Sequence, residues 1–502
     1  EQVSKPYNFH TIFAPPWWGF LYEETRMRYE PVIGLELHIQ LATESKLFSS
    51  SSAAFGAEPN THVNEIDLGY PGVLPVLNAQ AVHFATLFGL AIGAEINPHA
   101  FFMRKNYFYP DLPKGYQISQ LDDSIIRGGK IVVETADGTR EIRINRGQLE
   151  EDAGKSVHDA FSDRTGIDLN RAGVPLIELV SEPDMRSAAE AVAYMRQLHH
   201  LVRYLGISDG NMQEGSFRCD ANVSIRVAGS DDLNPRVELK NINSFRFVEQ
   251  AINLEIERQS DIMESGGTVE QETRLFDPDR METRTMRSKE EANDYRYFPD
   301  PDLLPLDLSP AWIAEIRSTL PELPQARAAR YQQAYGLDHD ATQFILQTRE
   351  MADYYDALTA ACGDGKLAAN WLQGEFARLY NEFGGSVQDI PLSAERFAGL
   401  LLRVKDNTIS AAVGKKLLPQ LWESSETADA LIAAQGLQQV NDDSQIAAWV
   451  DEVIAAHPQQ VAAYRDGQTK MLGFLTGQVL KRSQGQANPK TVNALLQEKL
   501  AP

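Results

Sequence analysis

The strongest constraint on how this chain folds is a period of two. In VIGLELHIQL (residues 32–41), Ile33, Leu35, Leu37, Ile39 and Leu41 alternate with Gly34, Glu36, His38 and Gln40. Alternation of this kind marks a strand with one apolar face, and it sets Glu36 and His38 on the same face roughly 7 Å apart. The pattern returns in SFRCDANVSIRV (216–227), where Arg218, Asp220, Asn222, Ser224 and Arg226 share one face and Cys219, Ala221, Val223, Ile225 and Val227 the other. RVELKN (236–241) repeats it with Arg236, Glu238 and Lys240, and in LIELVSEPD (176–184) Glu178 stands between Ile177 and Leu179. The solvent face of an antiparallel sheet carries this signature. A lined, concave polar surface carries it equally well, and periodicity alone does not separate the two.

The chain changes character near residue 308. Before it, short alternating runs are broken by Gly and Pro; after it, Ala, Leu and Gln dominate at helical spacing. SPAWIAEIRSTL (309–320) opens with Ser309 as an N-cap and Pro310 at the first helical position. These signals predict an α+β chain: a β-rich domain over 27–308, a helical domain over 309–436 and a small helical unit over 437–502. DSQIAAWVDEVIAAHP, YRDGQTKMLGFLTGQVLKRSQ and NPKTVNALLQEKL predict three helices in that last unit. Residues 1–26, with their PPWW segment, fit none of these units, and Met27 is a candidate initiator.

With 502 residues the chain exceeds a single compact core. The longest apolar run, AVHFATLFGLAIGA (81–94), contains His83 and falls short of the roughly 20 residues a membrane span needs, so it predicts a buried helix. Two cysteines, Cys219 and Cys362, are too few for a disulfide framework or a cysteine zinc site, which points to a reducing cytoplasmic setting. A net charge of −23 argues against nucleic-acid binding by the whole surface. The balance reverses locally from residue 464, where Arg465, Lys470, Lys481, Arg482, Lys490 and Lys499 face only Asp466 and Glu498. Such a stretch suits a phosphate backbone, and a solvated basic helix would read alike.

LEEDAGKS (149–156) ends like a phosphate-binding P-loop, yet Leu149 stands where the first glycine belongs and no helical stripe follows Lys155-Ser156. Glu150, Glu151 and Asp152 are instead hard oxygen donors of the type magnesium prefers, with His38 able to join them. With Glu36, Glu178 and Asp220 they compose a metal-assisted phosphoryl-transfer site; an isolated acidic turn would be solvated. Lys155 offers a point charge for phosphate. Cys219, on the apolar face of its strand, reads as a core thiol rather than a nucleophile. KNYFYPDLPKGYQISQ (105–120) interleaves Lys105, Tyr107, Phe108, Tyr109, Lys114 and Tyr116, and DYRYFPDPDLLP (294–305) sets Arg296 between two tyrosines. Each suits either stacking of single-stranded bases or an ordinary packed aromatic loop.

Long motifs occur in order over about 27–502: VIGLELHIQL, FGAEPNTHVNEIDLGYPGVLPVLN, RKNYFYPDLPKGYQISQ, LEEDAGKS, LNRAGVPLIELVSEPD, EGSFRCDANVSIR, ELKNINSF, QETRLFD, DYRYFPDPDLLPL and YRDGQTKMLGFLTGQVLKRSQGQANPKTVNALL. Through them the chain resembles the B-component family of the GatCAB aspartyl/glutamyl-tRNA amidotransferases. The resemblance implies a β-rich cradle, a helical domain and a tRNA-binding tail. It implies that ATP and magnesium serve to phosphorylate the side-chain carboxylate of Glu-tRNA(Gln) or Asp-tRNA(Asn). Ammonia from the amidase component, GatA, then gives Gln-tRNA or Asn-tRNA, in a heterotrimer completed by the small component GatC. The family site carries over as His38, Glu151 and Glu178 for metal, with Glu36, Glu150 and Asp220 beside them. Lys155, Arg218 and Lys240 are expected at phosphates, and Glu151, His38 and Lys240 as the catalytic set. Lys470, Lys481, Arg482 and Lys490 are expected at tRNA. The cysteine pairs that bind zinc in some relatives are missing, so no structural zinc is expected. A non-catalytic tRNA-binding scaffold and a free-standing magnesium-dependent hydrolase are the rival readings.

Overall fold

The computed structural model describes residues 29–157, 163–288, 294–437, 443–483 and 486–501; residues 1–26 and Met27 lie outside them. The chain divides into two compact units, Glu1–Pro321 and Glu322–Pro502. In the first unit the strands are β1 (Tyr29–Gln40), β2 (Glu95–Ile96), β3 (Met103–Asn106), β4 (Tyr116–Ser119), β5 (Ile126–Arg127), β6 (Lys130–Thr135), β7 (Gly138–Glu151) and β8 (Lys155–Val157). They continue as β9 (Gly166–Asp168), β10 (Pro175–Ser181), β11 (Phe217–Val227), β12 (Val237–Lys240), β13 (Glu272–Asp277), β14 (Glu282–Ser288) and β15 (Phe298–Pro299).

Ten of these strands build one sheet in the order β14-β13-β12-β11-β1-β10-β7-β5-β2, with β6 pairing the outer half of β7. Every named pair is antiparallel except β12 with β13, which is parallel and makes the sheet mixed. The parallel pair needs a crossover, and helix α3 (Phe245–Glu264) supplies it. The alternation in β1 resolves into Ile33, Leu35, Leu37 and Ile39 buried against Glu36, His38 and Gln40 half-buried. Helix α2 (Ala188–Tyr204) packs on α3, and through Tyr194, Met195, Leu198, Val202, Val248 and Ile252 the pair buries the apolar side of the sheet. Serines cap both helices: Ser187 accepts from Glu190 N and Ser244 from Phe247 N.

The apolar run near residue 81 forms buried helix α1 (Ala79–Ala91). Ser309 caps α4 (Pro310–Thr319), with Pro310 in its first turn. That helix packs on α1 within the first unit, although composition alone groups it with the helical part that follows. Beside the large sheet stand a three-stranded sheet, β15-β3-β4, and the two-stranded β8-β9.

The second unit is helical and holds two hydrophobic clusters, one drawn from residues between Tyr331 and Ile432, the other from Ile446 to Leu500. Its last part contains Asp443–Ala456, Pro458–Arg465, Lys470–Arg482 and Pro489–Leu500, where three helices were expected. Pro458 does more than end a helix: it occupies the first turn of the next, where its missing N–H costs no hydrogen bond. No helix among the described residues is long and apolar enough to cross a membrane.

Candidate functional site

Register brings the polar residues together. On the central strand, Glu36 lies opposite Asp220 of β11, and His38 lies between Arg218 of β11 and Glu178 of β10. Next along, Leu176 of β10 lies opposite Glu150 of β7. His38 Nε2 is 3.6 Å from Glu178, 3.7 Å from Glu150 and 3.8 Å from Glu36. Two overlapping groups of possible metal ligands result, Glu36–His38–Asp220 and His38–Glu150–Glu178, each with its ligand atoms within 4.8 Å of one another.

The electrostatics reflect crowding of like charges. Burial opposes a charge on His38, but the Glu178 hydrogen bond and the charges of Glu150, Glu178 and Glu36 outweigh it and hold the imidazole up to about 9. Burial and the nearby Glu178 charge push Glu150 up to about 8 and Glu36 to about 6. Burial also works against the charge on Glu178, yet its contact with His38 and the charge of Lys105 bring it down to about 2. Three carboxylates crowd one imidazole here, and their oxygens fit a hard divalent cation.

The three acids of the turn are separated by strand parity. Glu150 joins the cluster and accepts a 2.9 Å hydrogen bond from Ser119 Oγ. Glu151 points the other way, where Lys114 pairs with it and Ile118 N–H donates to it at 2.9 Å. The family resemblance puts Glu151 among the ligands and catalytic groups; its carboxylate lies outside both ligand groups. Asp152 accepts from Gln40 at 2.9 Å and Arg218 at 2.8 Å, with Arg171 3.5 Å away. Burial would raise its carboxyl, but Arg218 and Arg171 hold it below the usual range.

The turn is not a phosphate loop. Its Lys155-Ser156 begins strand β8 rather than a helix. A Cβ on Gly154 would sit 2.9 Å from the carbonyl oxygens of both Asp111 and Asp168, so the glycine serves close backbone packing.

Arg218 leads from the cluster into a cavity of about 690 Å³ that is also lined by Gln40, Lys155, Arg171, Asp168 and Glu214. The Arg218 Nε is buried without a partner. The structure thus brings Lys155 and Arg218 to one cavity. Lys240 lies apart from it, 2.5 Å from Asp220 and 3.1 Å from Glu238. Lys470, Lys481, Arg482 and Lys490 are all exposed in the second unit, and Arg482 pairs with Glu452 at 2.8 Å. Cys219 is buried and its thiol is pushed well up, as a core residue. Sequence reasoning missed Lys105 as a cluster residue. It lies on β3, within electrostatic reach of Glu150 and Glu178, and only the pairing of two sheets reveals that.

The family model described as the GatB/GatE catalytic domain matches residues 31–314, and one described as the GatB domain matches 353–500. The chain belongs to the GatB/GatE family. Every residue of the acid cluster lies inside the catalytic-domain match. A Dichelobacter nodosus protein, named as the B subunit of an aspartyl/glutamyl-tRNA(Asn/Gln) amidotransferase, is 69% identical over 475 residues, covering 94% of this chain and 99% of the relative. GatB/GatE relatives of the same name from Alkalilimnicola ehrlichii and Thioalkalivibrio sulfidiphilus are 58% and 57% identical, over 94% of this chain and 100% of each relative.

Proposed function

We propose that this chain is the B-type subunit of a tRNA-dependent amidotransferase and carries its carboxylate-activating site. The substrate is Glu-tRNA(Gln), Asp-tRNA(Asn) or both, and the products are Gln-tRNA and Asn-tRNA. The observation that carries the reading is the meeting of His38, Glu150, Glu178, Glu36 and Asp220 from four adjacent strands, next to a cavity with Lys155, Arg171 and Arg218 on its wall. The names of the relatives support the same reaction.

A carboxylate resists attack by ammonia because oxide is a poor leaving group. Transfer of the γ-phosphoryl group of ATP to the side-chain oxygen releases ADP and leaves an acyl phosphate; ammonia then attacks the carbonyl carbon and phosphate departs. His38, Glu150 and Glu178, flanked by Glu36 and Asp220, would hold magnesium, which when bound neutralises charge on the transferring group. Arg218, oriented by Asp152, and Lys155 would hold the nucleotide phosphates in the cavity. Lys240, fixed by Asp220 and Glu238, stands ready to offset charge at the edge of the cluster. Ammonia would come from a glutaminase partner of the GatA type, with a small GatC-type partner completing a cytoplasmic heterotrimer.

The test uses the assembled complex with labelled Glu-tRNA(Gln), ATP and magnesium. His38→Ala and Glu178→Gln complexes should lose ATP hydrolysis and Gln-tRNA formation even when ammonia is supplied, while the partner's glutaminase activity persists. Normal Gln-tRNA formation by the His38→Ala complex on added ammonia would sink the reading.

A further inference from the structure

The reaction proposed above requires two ligands to meet at one cluster: a nucleotide triphosphate and the aminoacylated end of an RNA. Arg218, the cross-strand neighbour of His38, lines the cavity together with Lys155 and Arg171, and these cations suit the triphosphate. The other approach is aromatic. Tyr107 and Tyr295 stand edge to face with ring centroids 6.0 Å apart, and Tyr295 and Tyr297 do the same at 6.1 Å. The Lys105 ammonium lies 5.0 Å from the Tyr295 ring centre. All three rings are only part-buried, and next to Tyr107 the Phe108 and Tyr109 side chains are exposed.

Two features show that this is a built surface beside the site. Asn106 ties its two segments together: its N–H donates to Tyr295 O at 2.9 Å, and its side-chain amide donates to Arg296 O at 2.9 Å. The strand that carries Lys105 also borders the cluster: Lys105 lies opposite Gln117 of β4, and Ser119 of β4 donates its hydroxyl to Glu150 at 2.9 Å. A glutamyl or aspartyl side chain is short. When its carboxylate is at the cluster, the ribose that carries the ester and the base on that ribose must lie close by.

We infer that Tyr107, Tyr295 and Tyr297, with Lys105, form a stacking site for the terminal base of the aminoacylated RNA. The inference rests on the amidotransferase reading and adds to it where the RNA end is held. Stacking on tyrosine is tolerant of sequence, which suits a terminus shared by every tRNA, and Lys105 supplies a cation for the adjoining backbone. The same rings could instead stack the adenine of ATP; the shared chemistry is a purine face, and the experiment separates its two sources.

The assembled complex is assayed with Glu-tRNA(Gln) bearing its normal terminal adenosine, and with the same tRNA whose terminal nucleotide lacks its base. Tyr295→Ala should raise the KM for the normal tRNA by about five- to a hundredfold, the range expected for one stacked base. Its kcat and its KM for ATP should stay near wild type. Tyr295→Phe and Tyr295→Trp, which keep a stacking face, should restore the KM. Removing the base should weaken wild type by a similar factor and leave Tyr295→Ala no worse. An unchanged KM for tRNA in Tyr295→Ala overturns the inference, as does a raised KM for ATP in its place, or effects of base removal and substitution that multiply. Equilibrium binding of the two RNAs makes the same comparison without turnover. Loss of the reaction in wild type therefore counts against the amidotransferase reading alone.

Discussion

Glu150 and Glu151 are adjacent acids with opposite surroundings, and they should answer mutation differently. Glu150→Gln replaces an ionisable carboxylate of the His38 group by a neutral amide and should weaken divalent-cation binding by about tenfold or more, read as a Mn²⁺ isotherm on the intact complex. Glu151→Gln should leave that isotherm nearly unchanged. It leaves the part-buried Lys114 ammonium without its anion, at a cost of about 1–3 kcal/mol, visible as a lowered melting midpoint. If Glu151→Gln abolished metal binding and spared stability, the assignment drawn from parity would be wrong. The sequence alone left the neighbouring acids unseparated. Neighbours on a strand point to opposite faces, so Glu150 and Glu151 part company once both are known to lie on β7. What the sequence did not show is that β7 runs on through Glu150 and Glu151, because LEEDAGKS reads as a turn until its partner strand β10 is known.

Elements carry two further expectations. Gly154→Ala forces a methyl group against two backbone oxygens in the β7–β8 turn and should cost about 1–3 kcal/mol by thermal or denaturant unfolding. His199 of α2 presents Nε2 to Gly210 O at 2.9 Å, and its ring packs edge-on against Phe217 and Phe245. Burial, with Arg203, His200 and Arg196 nearby, lowers its value, although the Gly210 contact opposes the shift. The unfolded chain therefore binds this proton more readily than the folded one. The stability His199 contributes is complete above about pH 6.5 and falls away as the pH drops below it. His199→Gln should accordingly lose less melting temperature between pH 7.5 and 5.5 than wild type; an equal loss would refute the assignment. The long alternating strands, the buried helix near residue 81 and the caps at Ser309 and Pro310 were readable because each is a local pattern. The ten-strand order, the placement of α4 and the reach of Lys105 depend on pairings far apart in sequence, which local periodicity does not encode.

At the scale of the whole molecule, residues Ile446 to Leu500 bury a hydrophobic cluster of their own. A chain ended after Gly436 loses that cluster entire and keeps the one between Tyr331 and Ile432. Such a truncation removes Lys470, Lys481, Arg482 and Lys490. It should weaken tRNA binding in a filter or mobility assay while sparing the glutaminase activity of the partner; unchanged affinity would remove the tail from the RNA interface. The central position of β1 has a temporal consequence. Its two neighbours in the sheet are β10 and β11, so His38 waits for Glu178 and then for Asp220 to leave the ribosome. At roughly 5–20 residues per second, the interval between His38 and Asp220 lasts roughly ten to forty seconds. Until β10 emerges β1 lacks both of its neighbouring strands, and its backbone edges stay unpaired at a stage when no ligand can yet stabilise the site.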